Sequence, residues 1–333
     1  MTDTLFYRRG DADPAALEGE TVAVIGYGNL GRSMALNLRD SGVEVVVGNR
    51  DDEYRATAVA DGMKVLAVPE AAAAAGLAYL LVPDEVIGDL YTDQIGPHLA
   101  AGAALVLGSG YALAYGLVEP AAELDVILLA PRMLGEEVRT SYLDGRGFFS
   151  YVSVEQDASG RARQRLLALA LAAGSLQRGA MELPAAQEAF LDLLIEQTVG
   201  PFLGTAIQLA FETGVGAGLP AEALVLEMYM SGEMSRTFQT FGEVGFYRSA
   251  NWHGLVAQFG GFLRTLAIDR QGMARLFAEV AEDIRSGGFA AKLQDEHDRG
   301  YPTAAAIELV TAGEDPMSQA EARVRQALAA GPD

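Results

Sequence analysis

The sequence predicts an α/β Rossmann domain, with a doubly wound and mostly parallel sheet, followed by an all-α domain. Three observations carry this. A short apolar strand (Val22, Val24, Ile25) runs into Gly26-Tyr27-Gly28-Asn29-Leu30-Gly31, then a helix pattern and a second strand, which makes a βαβ unit with G-x-G-x-x-G at its first turn. Strand and helix patterns alternate up to about residue 180. Beyond Gly179-Ala180 the periodicity is helical almost throughout. The boundary is placed near residue 182, giving domains 1–182 and 183–333.

The expected strands are Thr21–Ile25, Val43–Val47, Lys64–Val68, Leu77–Val82, Ala104–Leu107, Asp125–Leu129 and Phe148–Val154. Each is a short β-branched or leucine-rich run between helical stretches. Val68-Pro69-Glu70-Ala71 reads as a strand end running into a helix, with Pro suited to the first turn. The helical half is expected over Gln187–Ala217, Pro220–Thr240, His253–Ile268, Gln271–Arg285 and from Pro316 onward. Breaks fall at Gly214–Leu219, Gly245–Asn251 and Gly287–Gly288.

Composition excludes several classes. Half of the 333 residues are hydrophobic, enough for real cores. There is no cysteine, hence neither a disulfide framework nor thiol chemistry. The N-terminal MTDTLFYRRGDADP lacks an apolar signal core, and no long apolar run predicts a membrane span, so a cytoplasmic protein is expected. A formal charge of -21 argues against a nucleic-acid partner, because phosphate contacts need clustered Lys and Arg.

The glycine motif has a physical reading. The first glycine allows the tight turn, the second lets a pyrophosphate approach the backbone, and the third lets helix and strand pack closely. The phosphates then meet the free N–H groups of a helix N-terminus. Elsewhere, Asp192 and Glu196 stand four apart in LDLLIEQTVG, which places both on one helix face beside Leu191, Leu194 and Ile195. Glu227 and Ser231 are also four apart, with Glu233 close by. Such acids are either solvated helix faces or oxygen ligands for a hard cation such as Mg²⁺. The three histidines, His98, His253 and His297, are scattered without zinc-site spacing, and no G-x-S-x-G elbow occurs.

Several ordered segments resemble ketol-acid reductoisomerase, the class with a short helical second domain. They are the lead-in Asp11-Ala12-Asp13 to Leu17-Glu18-Gly19, GYGNLGRSMALNLRDSGV, LLVPDEVIGDLY (80–91), Asp125-Val126-Ile127 with APRMLGEEVR (130–139), VEQDASGRA (154–162), LDLLIEQTV (191–199) and AFETGVGAGLPAEALVLE (210–227). The resemblance implies a knotted helical second domain and a homodimer, or higher oligomer, with active sites shared between protomers. It implies two Mg²⁺ ions, NAD(P)H, an alkyl shift in a 2-hydroxy-3-keto acid and reduction of the resulting 2-keto acid. Asp192 matches the bridging carboxylate, and Glu196 and Glu227 match further metal-site acids. The nucleotide would contact Gly26, Tyr27, Gly28, Asn29, Leu30, Gly31, Asn49, Arg50, Asp52, Val82, Pro83, Asp84, Ser109 and Gly135.

The departures from the family are at the reacting centre. Ser231 stands where the family has an acid, which weakens a second metal. Arg132 stands where it has a lysine, replacing a point charge of tunable pKa by a planar, permanently charged fork; Arg132 would pair with a substrate carboxylate or oxyanion. Ser109 stands where it has a histidine beside the nicotinamide. Ser249 is the nearest match to the substrate-contacting serine. After the second strand, Arg50 is followed by Asp51, Asp52 and Glu53 in place of the serines that greet a 2′-phosphate, so NAD(H) is expected over NADP(H), although the same acids could simply cap the next helix.

The expected activity is therefore an NAD(H)- and Mg²⁺-dependent reaction on a small hydroxy or keto acid, through redox at C2 and a C2–C3 enediolate, redirected to specialised metabolism. One form is cyclopropanol formation, in which the C3 carbanion displaces a sulfonium within the same molecule. The alternatives are the housekeeping acetolactate enzyme of branched-chain amino acid synthesis and a non-catalytic nucleotide-binding relative.

Overall fold

The computed structural model describes residues 5–313 and 315–329, in two compact units, Met1–Asp192 and Leu193–Asp333. The first unit is built on a nine-stranded sheet: β1 (Phe6–Tyr7), β2 (Thr21–Ile25), β3 (Glu44–Gly48), β4 (Lys64–Leu66), β5 (Leu77–Leu80), β6 (Ala104–Leu107), β7 (Asp125–Pro131), β8 (Ser150–Gln156) and β9 (Ala180–Glu182). Their spatial order is β1-β9-β8-β7-β6-β5-β2-β3-β4. Pairing is parallel from β4 through β7, antiparallel between β7 and β8, parallel again between β8 and β9, and antiparallel at β1.

The parallel strands are nearly all apolar because both faces are covered. Val22, Val24, Leu77, Tyr79, Val106 and Ile127 face one core, while Ala23, Ile25, Ala78, Leu80, Leu105 and Leu128 face the other. The alternation follows from the two-residue period of the strand. Strand order reverses between β2 and β5, so the carboxyl ends of these strands open the crevice in which doubly wound sheets bind ligands.

The expected strands are present with shifted ends. Lys64–Val68 stops at Leu66, because Val68 already begins the helix Val68–Ala74 with Pro69 in its first turn. The edge strand β1 and its neighbour β9 are additions that the sequence pattern did not predict.

The helical half is more broken than expected. Gln187–Ala217 is two helices, Ala185–Gln197 and Val199–Gly216. Pro201 explains the break: it lacks an N–H for the Gln197 carbonyl, and its ring crowds that carbonyl. Pro220–Thr240 is three pieces: Ala221–Val225, a π turn over Leu226–Met230, and Glu233–Val244 after Gly232 at φ 85°. The His253–Ile268 stretch is the helix Leu255–Ala267, and Gly288–Asp298 and Pro302–Thr311 are further helices that the pattern did not predict. Phe211, Val225, Ala320 and Val324 form the buried core of the second unit.

Candidate active site

The glycine turn follows β2 and leads into the helix Asn29–Asp40. Gly26 has φ +95°, and a Cβ there would lie 2.6 Å from the Leu81 carbonyl oxygen. A Cβ on Gly31 would lie 2.1 Å from the Gly26 carbonyl oxygen, whereas a Cβ on Gly28 would meet nothing within 4 Å. Two glycines are thus demanded by packing, and the middle one leaves its backbone open to a ligand. The Tyr27 N–H donates to Asn49 Oδ1 at 3.0 Å, tying the turn to the end of β3. Gly135 packs against Asn29 and Leu30, which brings the start of the helix Gly135–Leu143 beside the turn. Val82 lies against Gly26, and Pro83 and Asp84 follow at the start of the helix Asp84–Leu90.

Tyr27 is further anchored by its hydroxyl, which donates to Asp61 Oδ2 at 3.1 Å; Arg32 donates to both oxygens of the same carboxylate at 2.6 and 3.0 Å. The Arg32 guanidinium, more than the opposing burial, holds the Asp61 carboxyl below the usual carboxylate range.

Beyond β3, Asp52 caps the helix Glu53–Ala60, accepting the N–H groups of Tyr54 and Arg55. The same carboxylate accepts from Arg50 Nε at 2.8 Å and from Asn49 Nδ2 at 2.8 Å. Capping and engagement of Arg50 therefore coexist in one side chain. The Arg50 hydrogen bond, chiefly, keeps the Asp52 carboxyl ionised below its usual range.

A second constellation gathers at the ends of β6 and β7. Arg132, one residue past β7, donates through Nη2 to Glu188 Oε1 at 2.7 Å and through Nη1 to Asp192 Oδ1. Its Nε donates to the Pro131 carbonyl at 3.0 Å, and its plane lies over the Tyr151 ring at 5.3 Å. Glu188 is wholly buried and also accepts the Gly110 N–H at 2.6 Å. Burial is the main influence on its carboxyl and raises it above the usual range, against the pull of Gly110 and Arg132. Ser109 precedes Gly110, and its Oγ accepts the Tyr111 N–H at 3.1 Å. Glu155 on β8 accepts the Ala185 N–H at 2.8 Å, placing a carboxylate at the positive end of the helix that bears Glu188 and Asp192.

The structure therefore brings Arg132 and Asp192 together, and it places Arg132 against two of the protein's own carboxylates. Glu188, Glu155 and Tyr151 are the members that sequence reasoning missed. For Glu188 a signal existed: it stands four residues before Asp192, as Glu196 stands four after. Glu196 is exposed one turn beyond Asp192 on the same helix, and Ile195 beside it is about half exposed.

In the second unit, Glu227 lies on the π turn and Ser231 closes it, the Ser231 N–H donating to the Leu226 carbonyl at 3.1 Å. The two are therefore joined by a widened turn and not by the regular α-helix expected from their spacing. Glu233 begins the next helix beyond Gly232. Ser249 is buried, with its Oγ donating to the Phe246 carbonyl at 2.7 Å. Among the described residues no helix is long and apolar enough to cross a membrane.

Comparison with known proteins decides the family. The sequence model of the acetohydroxy acid isomeroreductase NADPH-binding domain matches residues 16–179, and that of the ketol-acid reductoisomerase C-terminal domain matches residues 186–330. The chain belongs to the ketol-acid reductoisomerase family. A putative ketol-acid reductoisomerase 3 of Saccharolobus solfataricus is 35% identical over 296 residues, 88% of this chain and 89% of the relative. A ketol-acid reductoisomerase (NADP(+)) of Beutenbergia cavernae is 37% identical over 300 residues, 90% of this chain and 87% of the relative. An NADH-preferring ketol-acid reductoisomerase from an uncultured archean superposes with a TM-score of 0.90 at 31% identity, covering 97% of this chain and 98% of that one. The glycine turn lies within the segment that matches the NADPH-binding domain model.

Proposed function

We propose that the chain is an NADH-preferring, Mg²⁺-dependent enzyme of the ketol-acid reductoisomerase type, acting on a small hydroxy or keto acid other than acetolactate. The observation that carries this reading is Arg132, a fixed and permanently charged fork between Glu188 and Asp192 at a position where the family has lysine. A group that cannot release its proton supplies charge and orientation, not proton transfer. Ser109 and Ser231, replacing a histidine and an acid, point the same way.

NADH preference is supported by Asp52. Its carboxylate already engages Arg50, and beside the adenosine ribose it would repel a 2′-phosphate while accepting hydrogen bonds from a diol. The NADH-preferring solved relative is consistent with this.

For the cation, Asp192 and Glu196 offer oxygen donors one turn apart on one helix, with Glu227 on the π turn of the second unit. Carboxylate oxygens suit Mg²⁺, which takes one or two carboxylates from a protein and keeps several waters; among the described residues no group of three such side chains is gathered, so the pair on this helix is the donor set that the reading uses. When bound, the ion would polarise the substrate oxygens and stabilise enediolate charge. Glu188 would hold Arg132 in place, and Ser109 would contact the nicotinamide or the substrate.

A homodimer with shared active sites is part of the same reading. The helix Leu255–Ala267 buries none of its residues, and Leu255, Val256, Phe259 and Phe262 lie open on it. So apolar a surface is suited to a second copy of the chain, and light scattering on a size-exclusion column would return twice the chain mass.

The decisive experiment follows NADH oxidation by purified protein with 2-acetolactate, with and without Mg²⁺. The expected result is NADH binding with acetolactate turnover far below about 1 s⁻¹; supplied instead with NAD⁺, which accepts the C2 hydride and returns it after ring closure, the protein should consume a dihydroxy acid, a sulfonium-bearing one included, with no net change in NADH. Ordinary turnover of acetolactate would make the chain a housekeeping reductoisomerase in which Arg132, Ser109 and Ser231 are tolerated.

A further inference from the structure

We infer that Arg132 is a resident counter-cation of Asp192, leaving this carboxylate one oxygen with which to meet a divalent cation. The inference rests on the reading above, that a divalent cation binds at Asp192, and it concerns what this chain has done to that carboxylate.

The guanidinium is fixed on four sides. Nε is held by the Pro131 carbonyl at 3.0 Å, Nη2 by Glu188 at 2.7 Å, Nη1 by Asp192 Oδ1, and the plane rests over Tyr151. It cannot swing off Asp192 freely, because the same rotation strips Nη2 from Glu188. That carboxylate is wholly buried and is pinned by the Gly110 N–H at 2.6 Å, so it cannot follow. A buried carboxylate that loses its charged partner is costly. The Arg132–Asp192 contact is therefore maintained by Glu188 and not by Asp192 alone.

Two consequences follow for a cation at Asp192. Oδ1 is committed to Nη1, and Oδ2 is the oxygen that remains. One guanidinium against two carboxylates also leaves the cluster a single net negative charge, so a dication is attracted less than it would be by a bare pair of acids. A lysine here would behave differently: an ammonium is a point charge with rotatable donors, able to stay on Glu188 while leaving Asp192.

The test uses Mn²⁺ as the probe. Free Mn²⁺ is titrated by electron paramagnetic resonance against the full chain, wild type, Arg132→Gln and Arg132→Lys, with Asp192→Asn as the control. NADH affinity, read by fluorescence, certifies that each variant is folded. The expected result is that R132Q binds Mn²⁺ at least about tenfold more tightly than wild type (roughly 1.4 kcal/mol), with R132K between them and D192N abolishing the binding. If R132Q does not fold, tighter binding by R132K alone supports the inference, because charge is retained and only the fork is lost. Equal Mn²⁺ affinity in wild type and the Arg132 variants overturns the inference while keeping the cation site. Absence of Mn²⁺ binding in every protein overturns the cation site itself, and this inference with it.

Discussion

Gly110 donates its backbone N–H to the Glu188 carboxylate at 2.6 Å, joining the loop after β6 to the helix Ala185–Gln197. The other Glu188 oxygen accepts from Arg132. Replacing Glu188 with Ala orphans a buried N–H and removes one of the two carboxylates that hold Arg132. The expected loss of stability is roughly 2–4 kcal/mol, read by chemical denaturation. Glu188→Gln keeps the shape and one acceptor, and should recover part of that loss.

The glycine turn separates packing from ligand approach. Gly31→Ala drives a methyl into the Gly26 carbonyl, and should cost roughly 1–3 kcal/mol and abolish NADH binding together. Gly28→Ala has room for its methyl, so it should melt like wild type, within about 0.5 kcal/mol, yet bind NADH weakly. Paired melting and fluorescence titrations distinguish the two.

Asp52 sets the choice of nicotinamide. Asp52→Asn preserves an acceptor for the Tyr54 and Arg55 N–H groups, but removes the charge that holds Arg50 and would repel a phosphate. The ratio of NADPH to NADH affinity should rise about tenfold, the equivalent of 1.4 kcal/mol. An unchanged ratio would mean that this loop does not face the adenosine ribose.

Asp61 should govern part of the acid limb of the stability profile. Its carboxyl is held below the unfolded value by Arg32, so its contribution is present above the unfolded aspartate range and is lost as pH falls through the lower folded value. Asp61→Asn should therefore melt below wild type near neutral pH, and the difference should close on acidification. A gap that persists at low pH would assign the effect to packing instead of charge.

The parts of the fold that sequence displayed are those with local periodicity. β2, β5, β6 and β7 are continuous apolar runs because two cores cover them, and the glycine turn names its own geometry. β1 and β9 are too short to have a period; they exist because each pairs with a neighbour remote in sequence. The break at Thr198 and the π turn at Leu226–Met230 depend on where carbonyls fall relative to Pro201 and Ser231, which hydrophobic spacing does not report. In the site, Asp192 and Glu196 announced themselves by a four-residue interval. Glu188 shares that interval but matters through Arg132 and Gly110, distant in the chain, and its burial is a tertiary property.

β1 has a further significance for anyone handling this protein. Phe6 and Tyr7 zip onto β9, the Tyr7 hydroxyl bonds Glu182, and a few residues later the chain enters the helix that presents Glu188 and Asp192. This short strand is thus a tether for the helix that bears Glu188 and Asp192. A protease cut or a bulky affinity tag next to Tyr7 would be felt as loss of catalysis, although it touches nothing that catalyses.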